Sequence, residues 1–258
     1  MADQQKIFAD GASYDRRMGR LSPVAGEAFL RWLDLAGGLK WLDVGCGTGA
    51  FTSLIRERAA PGAISAVDPS EAQIAFAQGK SIAADVNFRH GDVMALPFDD
   101  DAFDVAVMAL VIQYVPDRTK AMSELCRVVR PGGTIAAYVW PGWNDGHPLR
   151  FLREAADSVG GARPRRPGDQ IRTVEALVEL FTVTGLDAVE GRAMDLQFTF
   201  DDIDDFLTSL PPDEANNMSP ADLAQMKTVL KERVPPDADG RITYSAGVNA
   251  IRGQVPGS

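Results

Sequence analysis

A short apolar run that ends in three closely spaced glycines constrains the fold of this chain more than any other feature. Residues 40–49 read Lys-Trp-Leu-Asp-Val-Gly-Cys-Gly-Thr-Gly. Glycines in such a turn adopt backbone angles closed to other residues and let a ligand approach the main chain closely. A helical pattern follows, because Phe51, Leu54 and Ile55 fall on one face at positions i, i+3 and i+4. The segment therefore predicts a buried strand, a glycine turn and a helix.

Short apolar runs continue to alternate with helical patterns along the chain. The pattern predicts strands at 40–45, 63–67, 86–90, 103–110 and 134–140, and two strands of alternating polarity at 194–200 and 242–250. Ser70 is the predicted N-cap of a helix, with Gln73 completing a capping box. A further helix over 117–130 should end at Pro131-Gly132-Gly133. Such alternation is typical of the α/β class, with a parallel sheet covered on both faces.

Additions are predicted at both ends of this core. Ser22 as N-cap and Pro23 at the first helical position indicate an N-terminal helix that docks on the sheet. Two segments rich in Pro and Gly, 141–148 and 163–167, are candidate lid loops. Later helices are predicted from Thr173, near 202–210 and over 219–233.

The residue inventory excludes several classes of protein. With 36 acidic against 26 basic side chains, the 258 residues carry a formal net charge of −10, which would repel nucleic acid. No apolar run reaches the roughly 18 residues of a membrane span. Cys46 and Cys126 indicate no disulfide framework, so we expect a cytoplasmic protein. His90 and His147 have no Cys or His at ligand spacing, so no metal site is expected.

The glycine turn favours a cationic ligand group over a dinucleotide. A dinucleotide site would read G-x-G-x-x-G, so that backbone amides and a helix N-terminus meet a pyrophosphate. Here the turn reads G-x-G-x-G, and Asp43 stands two residues before Gly45. A carboxylate at that point suits a cation better than a phosphate.

Four segments in order resemble the class I methyltransferases that depend on S-adenosylmethionine (SAM). Residues 42–49 resemble the family's first motif, 67–70 its second and 91–98 its adenine-contacting segment. Residues 103–133 resemble the fourth strand, helix and turn of the small-molecule branch, which includes the ubiquinone and menaquinone biosynthesis methyltransferases. The resemblance implies a Rossmann-like, doubly wound fold, with a mostly parallel seven-stranded sheet and an antiparallel last strand. Residues 1–37 would form a helical lid segment and 38–258 the SAM-binding domain, with lid or insertion segments at 141–172 and 201–238.

The resemblance also implies roles for individual residues. Asp68, at a strand end, can accept hydrogen bonds from both ribose hydroxyls. Asp92 can accept from the adenine amino group while the backbone of Val93 donates to a ring nitrogen. Asp43 would lie near the methionine amino group. The remaining residues expected around SAM, and its product S-adenosylhomocysteine, are Gly45, Cys46, Gly47, Gly49, Pro69, Ala109 and Leu110.

Simpler interpretations of the same residues stand beside these roles. Asp68 could cap the following helix, although Ser70 already suits that position. Asp92 could be an ordinary turn residue. Cys46 is expected to pack rather than to act as a nucleophile, because the sequence places no base near it.

The residues that bind the methyl acceptor are harder to predict from the sequence, because methyl transfer from a sulfonium needs positioning more than it needs a base. Gln113 and Tyr114 follow the fourth strand, where many relatives carry histidines, and His147 is the remaining candidate base. Tyr14 and Arg20 lie in a segment, 14–20, that resembles the lid closing over the methionine portion. Trp140, Trp143 and Phe151 are candidates for an apolar acceptor pocket, and the basic run 163–166 for an anionic substrate or a solvated loop.

Three functions follow from this pattern. The first is an enzyme that methylates a small organic acceptor on oxygen, carbon or nitrogen, as a monomer or homodimer. The second is a SAM-binding sensor or partner subunit without catalysis. It stays open because Gln113 stands where many relatives carry a histidine. The third, a nicotinamide-dependent oxidoreductase, is disfavoured by the G-x-G-x-G spacing and by the lack of a Tyr-x-x-x-Lys pair after the fourth strand.

Overall fold

A twisted sheet with helices on both faces forms the centre of the protein. The computed structural model describes residues 18–80, 84–160, 169–210 and 217–257. The strands are β1 (Lys40–Val44), β2 (Ala63–Asp68), β3 (Val86–His90), β4 (Phe103–Ala109), β5 (Val129–Val139), β6 (Asp187–Phe200) and β7 (Ile242–Gln254). Their order is β3-β2-β1-β4-β5-β7-β6.

Strand direction confirms the predicted topology. Strands β1 to β5 pair in parallel, and β7 is antiparallel to both β5 and β6. The chain reverses strand order on leaving β3, so the carboxyl ends of β1 and β4 become neighbours. Open α/β sheets bind ligands at such a switch point. The fold is the expected Rossmann-like, doubly wound α/β type.

The helices cover the sheet as the apolar spacing predicts. They are α1 (Leu21–Leu33), α2 (Ala50–Arg58), α3 (Glu71–Gln78), α4 (Arg118–Val128), α5 (Arg150–Asp157), α6 (Val174–Val183), α7 (Ile203–Leu207) and α8 (Pro220–Arg233). The helices predicted to start at Thr173 and at 219 form there, and the hydroxyls of Thr173 and Ser219 cap α6 and α8. In the four described ranges, no helix combines the length and apolarity needed to cross a membrane.

The N-terminal helix docks on the sheet as predicted, but it begins earlier than expected. It starts at Leu21, so Ser22 lies inside the helix rather than at its cap. Leu21 is buried, and packing of this side chain outweighs the local preference for a serine cap. Further along, the ring of Phe29 lies 4.7 Å from that of Tyr138 on β5. The helix is therefore part of the core on one face of the sheet.

The boundary between α4 and β5 also differs from the prediction. The helix ends at Val128 and the strand begins at once with Val129, ahead of the Pro131-Gly132-Gly133 turn. Val129 is fully buried and pairs with Phe103. Gly132 N donates to Val255 O at 2.8 Å, so the turn is bonded to the chain that follows β7. Burial of Val129 and this pairing draw the turn into the sheet.

Helices α5, α7 and α8 pack together beside the ends of β6 and β7. They share one hydrophobic cluster with α1 and with Trp140. The second cluster, on the other face of the sheet, is built from residues such as Leu42, Met108 and Leu125. Residues 1–17 and the basic run 163–166 lie outside the described residues, so what the sequence indicates for them stays a prediction.

Candidate functional site

The glycine turn is bonded to the neighbouring strand by its backbone. Gly45 N and Cys46 N both donate to Val67 O, at 2.7 and 3.1 Å, so the turn lies against the carboxyl end of β2. Gly45 has a φ of +74°, and a Cβ built there would lie 2.6 Å from Cγ2 of Val111. Any side chain at this position meets both backbone strain and a collision. The glycine therefore lets the turn pass closely beside the segment after β4.

Asp68 connects the glycine turn to the start of α3. Its Oδ2 accepts from Gly47 N at 2.9 Å and its Oδ1 accepts from Ser70 N at 2.9 Å. The side chain is 9% exposed, and burial raises the pKa of the carboxyl while these two bonds act in the opposite direction. A carboxylate oxygen has about two acceptor positions, so each still has capacity for one more donor. A ligand with two adjacent hydroxyls matches that capacity.

The capping box predicted at Ser70 forms only in part. Ser70 Oγ accepts from Gln73 N at 3.4 Å, as expected of an N-cap. The backbone N–H of Ser70 donates to Asp68 instead of to the side chain of Gln73. A carboxylate two residues upstream is the closer and more strongly charged acceptor. Asp68 thus also supports the helix start, in addition to any contact with a ligand.

Asp43 lies in the interior, and one of its oxygens is unsatisfied by the described residues. The side chain is fully buried, and Oδ2 accepts from Thr52 Oγ1 at 2.6 Å. Within the described ranges, Oδ1 has no hydrogen-bond partner. Burial raises the pKa of this carboxyl to about 7, with a smaller contribution from the nearby Asp68 and a lowering by Thr52. A buried carboxylate with one unpaired oxygen favours a positive charge nearby.

Cys46 is buried within the same turn. Burial, together with the negative charges of Asp43 and Asp68, raises the pKa of the thiol far above its ordinary value. A raised pKa disfavours the thiolate, which is the nucleophilic form of cysteine. Its position supports the expected packing role.

Asp92 forms a tight turn just past the end of β3. Its Oδ1 accepts from Met94 N at 2.8 Å, and its carbonyl accepts from Ala95 N at 2.9 Å. The Asp92 side chain is exposed, and Val93 beside it is half-buried. Gly91 N donates to Asp68 O at 3.1 Å, which places this turn beside the ribose candidate. Next to Asp68, the carbonyl of Pro69 lies 3.1 Å from Nε2 of His90.

The end of β4 contains a strained backbone that the sequence did not indicate. Leu110 has a φ of +62°, which is unusual for a residue with a bulky side chain. Its N–H donates to Tyr138 O, and its carbonyl accepts from Gln113 Nε2 at 2.7 Å. Gln113 is buried, and its Oε1 has no partner among the described residues. The amide of Gln113, predicted as a candidate catalytic group, therefore supports the Ala109–Leu110 backbone.

His147 occupies a packed position at the start of α5. Its Nδ1 accepts from Leu149 N at 3.1 Å, and its ring stacks on Trp143 with centroids 3.7 Å apart. Tyr114 is half-buried in the short 3-10 helix after β4, Ile112–Tyr114. The two candidates thus follow different strands, β4 and β5, at the same edge of the sheet.

Arg20 lies at the start of α1, where it bonds to acidic residues. Its Nη1 lies 2.5 Å from Asp205 Oδ2 and its Nη2 lies 3.3 Å from Asp201 Oδ2. The arginine predicted to reach the cofactor is thus paired with the insertion before and within α7. Tyr14 lies outside the described residues.

Aromatic packing dominates the region assigned to the acceptor. Trp140 is buried beside Phe198, and Phe151 contacts Tyr244 edge-on at 5.5 Å. Sequence reasoning missed Arg172, a buried arginine whose Nη1 donates to Trp140 O at 3.2 Å. It follows the 3-10 helix Asp169–Ile171, which is too short for a periodic pattern to mark its neighbour as inward-facing.

Comparison with known proteins agrees with this geometry. Residues 42–137 match the family described as "Methyltransferase domain". The chain is 36% identical over 110 residues to the demethylmenaquinone methyltransferase of Shouchella clausii, covering 41% of this chain and 47% of that protein. It is 37% identical over 131 residues to the malonyl-[acyl-carrier protein] O-methyltransferase of Pectobacterium atrosepticum, covering 51% and 50%. The chain spans about half the length of these curated relatives.

A solved structure extends the likeness in fold beyond the matched segment. The Haemonchus contortus phosphoethanolamine N-methyltransferase 2, in complex with phosphomonomethylethanolamine and S-adenosylhomocysteine, superposes with a TM-score of 0.61. The match covers 98% of this chain and 58% of that one at 17% identity, so it speaks for the fold alone. The sequence match and the strand order agree, because residues 42–137 match a methyltransferase domain and lie within the doubly wound part of the sheet.

Proposed function

We propose that this protein transfers a methyl group from SAM to a small organic acceptor. The observation that carries the proposal is Asp68, at the carboxyl end of β2, bonded at 2.9 Å to the backbone of the glycine turn at Gly47. This arrangement offers a carboxylate with spare acceptor capacity beside a backbone that a ligand can approach closely. The methyltransferase domain match supports the same activity.

The site fits the cofactor in its polar atoms and in its space. A Cβ built on Gly47 would meet no atom of the described residues within 4 Å, so the turn is open on that side. Asp68 would hold the two ribose hydroxyls, and Asp92 with Val93 would hold the adenine edge. Asp43 Oδ1, buried and unpaired within the described ranges, makes the interior beneath the turn favourable for the positive charge of the cofactor.

The remaining cofactor residues would act through their backbone. Gly45, Cys46 and Gly49 lie in the turn, and Pro69 leads into α3. Ala109, which ends β4, and Leu110, which follows it, would line the cofactor with their backbone. Gln113 stabilises the backbone at Leu110 by donating from Nε2 to Leu110 O. Tyr14 and Arg20 would close over the methionine end of the cofactor. Arg20 would then break its ion pair with Asp205 and contact the cofactor instead.

When bound, SAM would supply an electrophilic methyl group on a sulfonium, the substrate for an in-line displacement by the acceptor. The protein then contributes mainly position and exclusion of water, and these can supply most of the acceleration. Tyr114 is the candidate to orient an acceptor hydroxyl, and His147 is the candidate base. Trp140, Trp143 and Phe151 would form the apolar side of the acceptor pocket. No contact in the described part of the site favours a sensor without catalysis.

The proposal also covers the roles of the added segments, the cellular location and the partners of the protein. Residues 1–37 would form an N-terminal helical segment whose helix α1 packs on the sheet and whose residues before α1 act as the lid of the domain 38–258. Insertions at 141–172 and 201–238 would close the acceptor side. We further propose a cytoplasmic enzyme, a monomer or homodimer, with no nucleic-acid partner. The net charge of −10 supports the last point, because a phosphate backbone is repelled by it.

Isothermal titration with SAM tests the binding half of the proposal. We expect wild-type protein to bind, and Asp68→Ala to weaken binding at least about 100-fold, because two hydrogen bonds to a charged group are lost. Asp187→Ala, an exposed aspartate at the start of β6, is the matched control and should leave Kd unchanged. Absence of binding by the wild type, or equal Kd for Asp68→Ala, would overturn the assignment.

Turnover tests the catalytic half. Wild-type protein incubated with SAM and a panel of small hydroxyl, amine and activated-carbon acceptors should form S-adenosylhomocysteine with at least one of them. Binding without turnover across the panel would favour the non-catalytic alternative.

A further inference from the structure

The connection between β3 and β4 contains no helix, although it carries the residues proposed to bind adenine. Residues 91–102, termed the β3–β4 loop, are an irregular segment that begins with the Asp92 turn; all of them are described by the structure. Buried backbone groups outside regular structure need other partners. Two side chains of α4, Glu124 and Arg127, supply those partners.

Arg127 donates to the loop from both terminal nitrogens of its guanidinium. Its Nη2 donates to Leu96 O at 3.0 Å, and its Nη1 donates to Phe98 O and Asp100 Oδ1, both at 2.8 Å. The backbone carbonyl of Arg127 accepts from Asp101 N at 3.0 Å. One residue of α4 thus fixes the second half of the loop at four points.

Glu124 completes the attachment and orients the arginine. Its two oxygens accept from Arg127 Nε and Nη2 at 3.0 and 2.8 Å, and its Oε2 also accepts from Leu96 N at 2.9 Å. The side chain of Glu124 is only 11% exposed, and the bonds from Arg127 lower the pKa of its carboxyl. The pair therefore holds both the N–H and the C=O of Leu96.

Leu96 is joined directly to the turn that presents Asp92. Ala95, the preceding residue, donates its N–H to Asp92 O at 2.9 Å, and Asp92 Oδ1 accepts from Met94 N. Leu96 itself is buried, so it cannot shift without losing packing as well as hydrogen bonds. Leu96, which the ion pair holds, is therefore the immediate neighbour of Ala95, whose N–H closes the turn at Asp92.

We infer that Glu124 and Arg127 are positioning residues for the adenine end of the cofactor, acting through Leu96 on the Asp92–Val93 turn. The inference rests on the proposed function, because it assigns the turn to adenine. Neither side chain needs to touch the cofactor. Their effect is to hold the carboxylate of Asp92 and the N–H of Val93 at a fixed spacing, so that the site distinguishes adenine from bases with other edge groups.

The planar shape of arginine is required for this role. The guanidinium reaches two carbonyls and two carboxylates from nitrogens in one plane, whereas a lysine ammonium is a single point that cannot reach them together. Arg127→Lys keeps the charge and most of the length, so it removes the fixed geometry while retaining attraction to Glu124.

The test compares two ligands that differ at the adenine edge. S-adenosylhomocysteine and S-inosylhomocysteine are titrated calorimetrically into the wild type, Arg127→Lys and Arg130→Lys. Arg130 lies three residues on and pairs with Asp104 near the amino end of β4, so it is the matched control. We expect Arg127→Lys to bind S-adenosylhomocysteine about tenfold more weakly and its preference over the inosine analogue to fall by a similar factor, because roughly one hydrogen bond of discrimination is lost. Arg130→Lys should match the wild type.

The ratio of the two affinities separates positioning from general damage. A folded Arg127→Lys with wild-type discrimination would overturn the inference, even if both affinities fell. If Arg127→Lys does not fold, Glu124→Gln is used, because its amide oxygen can still accept from Leu96 N while its charge is lost. Unchanged discrimination in Glu124→Gln would then overturn the inference. Failure of the wild type to bind either ligand would overturn the proposed function itself, and this inference with it.

Discussion

The two halves of the proposed ligand-binding edge, termed the donor half and the acceptor half, are built in different ways. The donor half, at the ends of β1, β2 and β3, is held by backbone hydrogen bonds, such as those from Gly45 and Cys46 to Val67 O. The acceptor half, beyond β5 and β7, is held by stacked rings, such as Trp143 on His147. Backbone bonds fix a site through the identity and spacing of a few residues, whereas ring packing can be reached by many sequences. Single substitutions in the donor half should therefore reduce stability and ligand binding more than single substitutions in the acceptor half.

The largest effect is expected at Gly45. Gly45→Ala would place a Cβ 2.6 Å from Val111 and force a φ of +74° on an alanine. The backbone strain alone costs about 1–2 kcal/mol, and the collision adds to it. We expect the free energy of unfolding to fall by more than about 2 kcal/mol and SAM binding to be lost in calorimetry.

The double variant Gly45→Ala, Val111→Ala separates the two contributions. It removes the collision and retains the strain, so it should recover part of the stability while SAM binding stays impaired. Full recovery of both would mean that the backbone angle at Gly45 is unimportant. Wild-type stability in the single variant would contradict the geometry of the turn altogether.

Asp43 gives the next largest effect, and its sign is set by pH. The pKa of this carboxyl is about 7 in the folded protein and near 3.8 when unperturbed. Between these values the folded state holds a proton that the unfolded state has lost, so stability falls as pH rises from about 4 to about 7. One proton corresponds to a slope of at most about 1.4 kcal/mol per pH unit. Above about pH 7 the contribution is constant.

Asp43→Asn tests this, because the amide is nearly isosteric and does not ionise in this range. Urea unfolding at pH 5, 6, 7 and 8 should show the variant gaining stability relative to the wild type as pH rises. The same variant should bind SAM more weakly at pH 8, because the negative charge is missing. A stability difference that stays flat across this range would rule out a raised pKa at Asp43.

The contrast between the two halves also explains what the sequence could predict. Residues 42–49, 67–70 and 91–98 each act within a short stretch, so their spacing alone indicates the donor site. The acceptor half joins residues far apart in the chain, such as Phe151 and Tyr244, and no local pattern encodes that contact. The left-handed φ of Leu110 is likewise absent from any sequence pattern, because leucine rarely adopts it and the tertiary bonds to Tyr138 and Gln113 impose it.

The same limit applies to boundaries. The predicted cap at Ser22 and the predicted break at 131–133 both follow local preferences that burial of Leu21 and Val129 overrides. By contrast, the helices predicted to start at Thr173 and at 219 do start there. Local rules therefore hold where tertiary packing does not compete with them.

A smaller effect is expected at His147 in the acceptor half. His147→Ala removes the acceptor for Leu149 N and the ring that stacks on Trp143, which together should cost about 1–3 kcal/mol. His147→Asn supplies a side-chain oxygen at the start of α5 and should recover part of the loss, as measured by Tm. If His147 is the base, as proposed, His147→Asn should lose turnover, because an amide cannot accept a proton from the substrate. Turnover retained at the recovered stability would exclude His147 as the base.

The smallest effect is expected at the contact that joins the N-terminal helix to the insertion. Arg20 pairs with Asp205 at 2.5 Å, but the arginine side chain is 51% exposed, so solvent screens the attraction. A double-mutant cycle of Arg20→Ala and Asp205→Asn should give a coupling energy below about 1 kcal/mol that shrinks in roughly 0.5 M salt. SAM titration of the same variants separates a structural contact from a cofactor contact. Equal SAM affinities in the wild type and all variants would mean that Arg20 only links α1 to the insertion at 201–238. Loss of SAM affinity in Arg20→Ala alone would assign Arg20 to the methionine end of the cofactor.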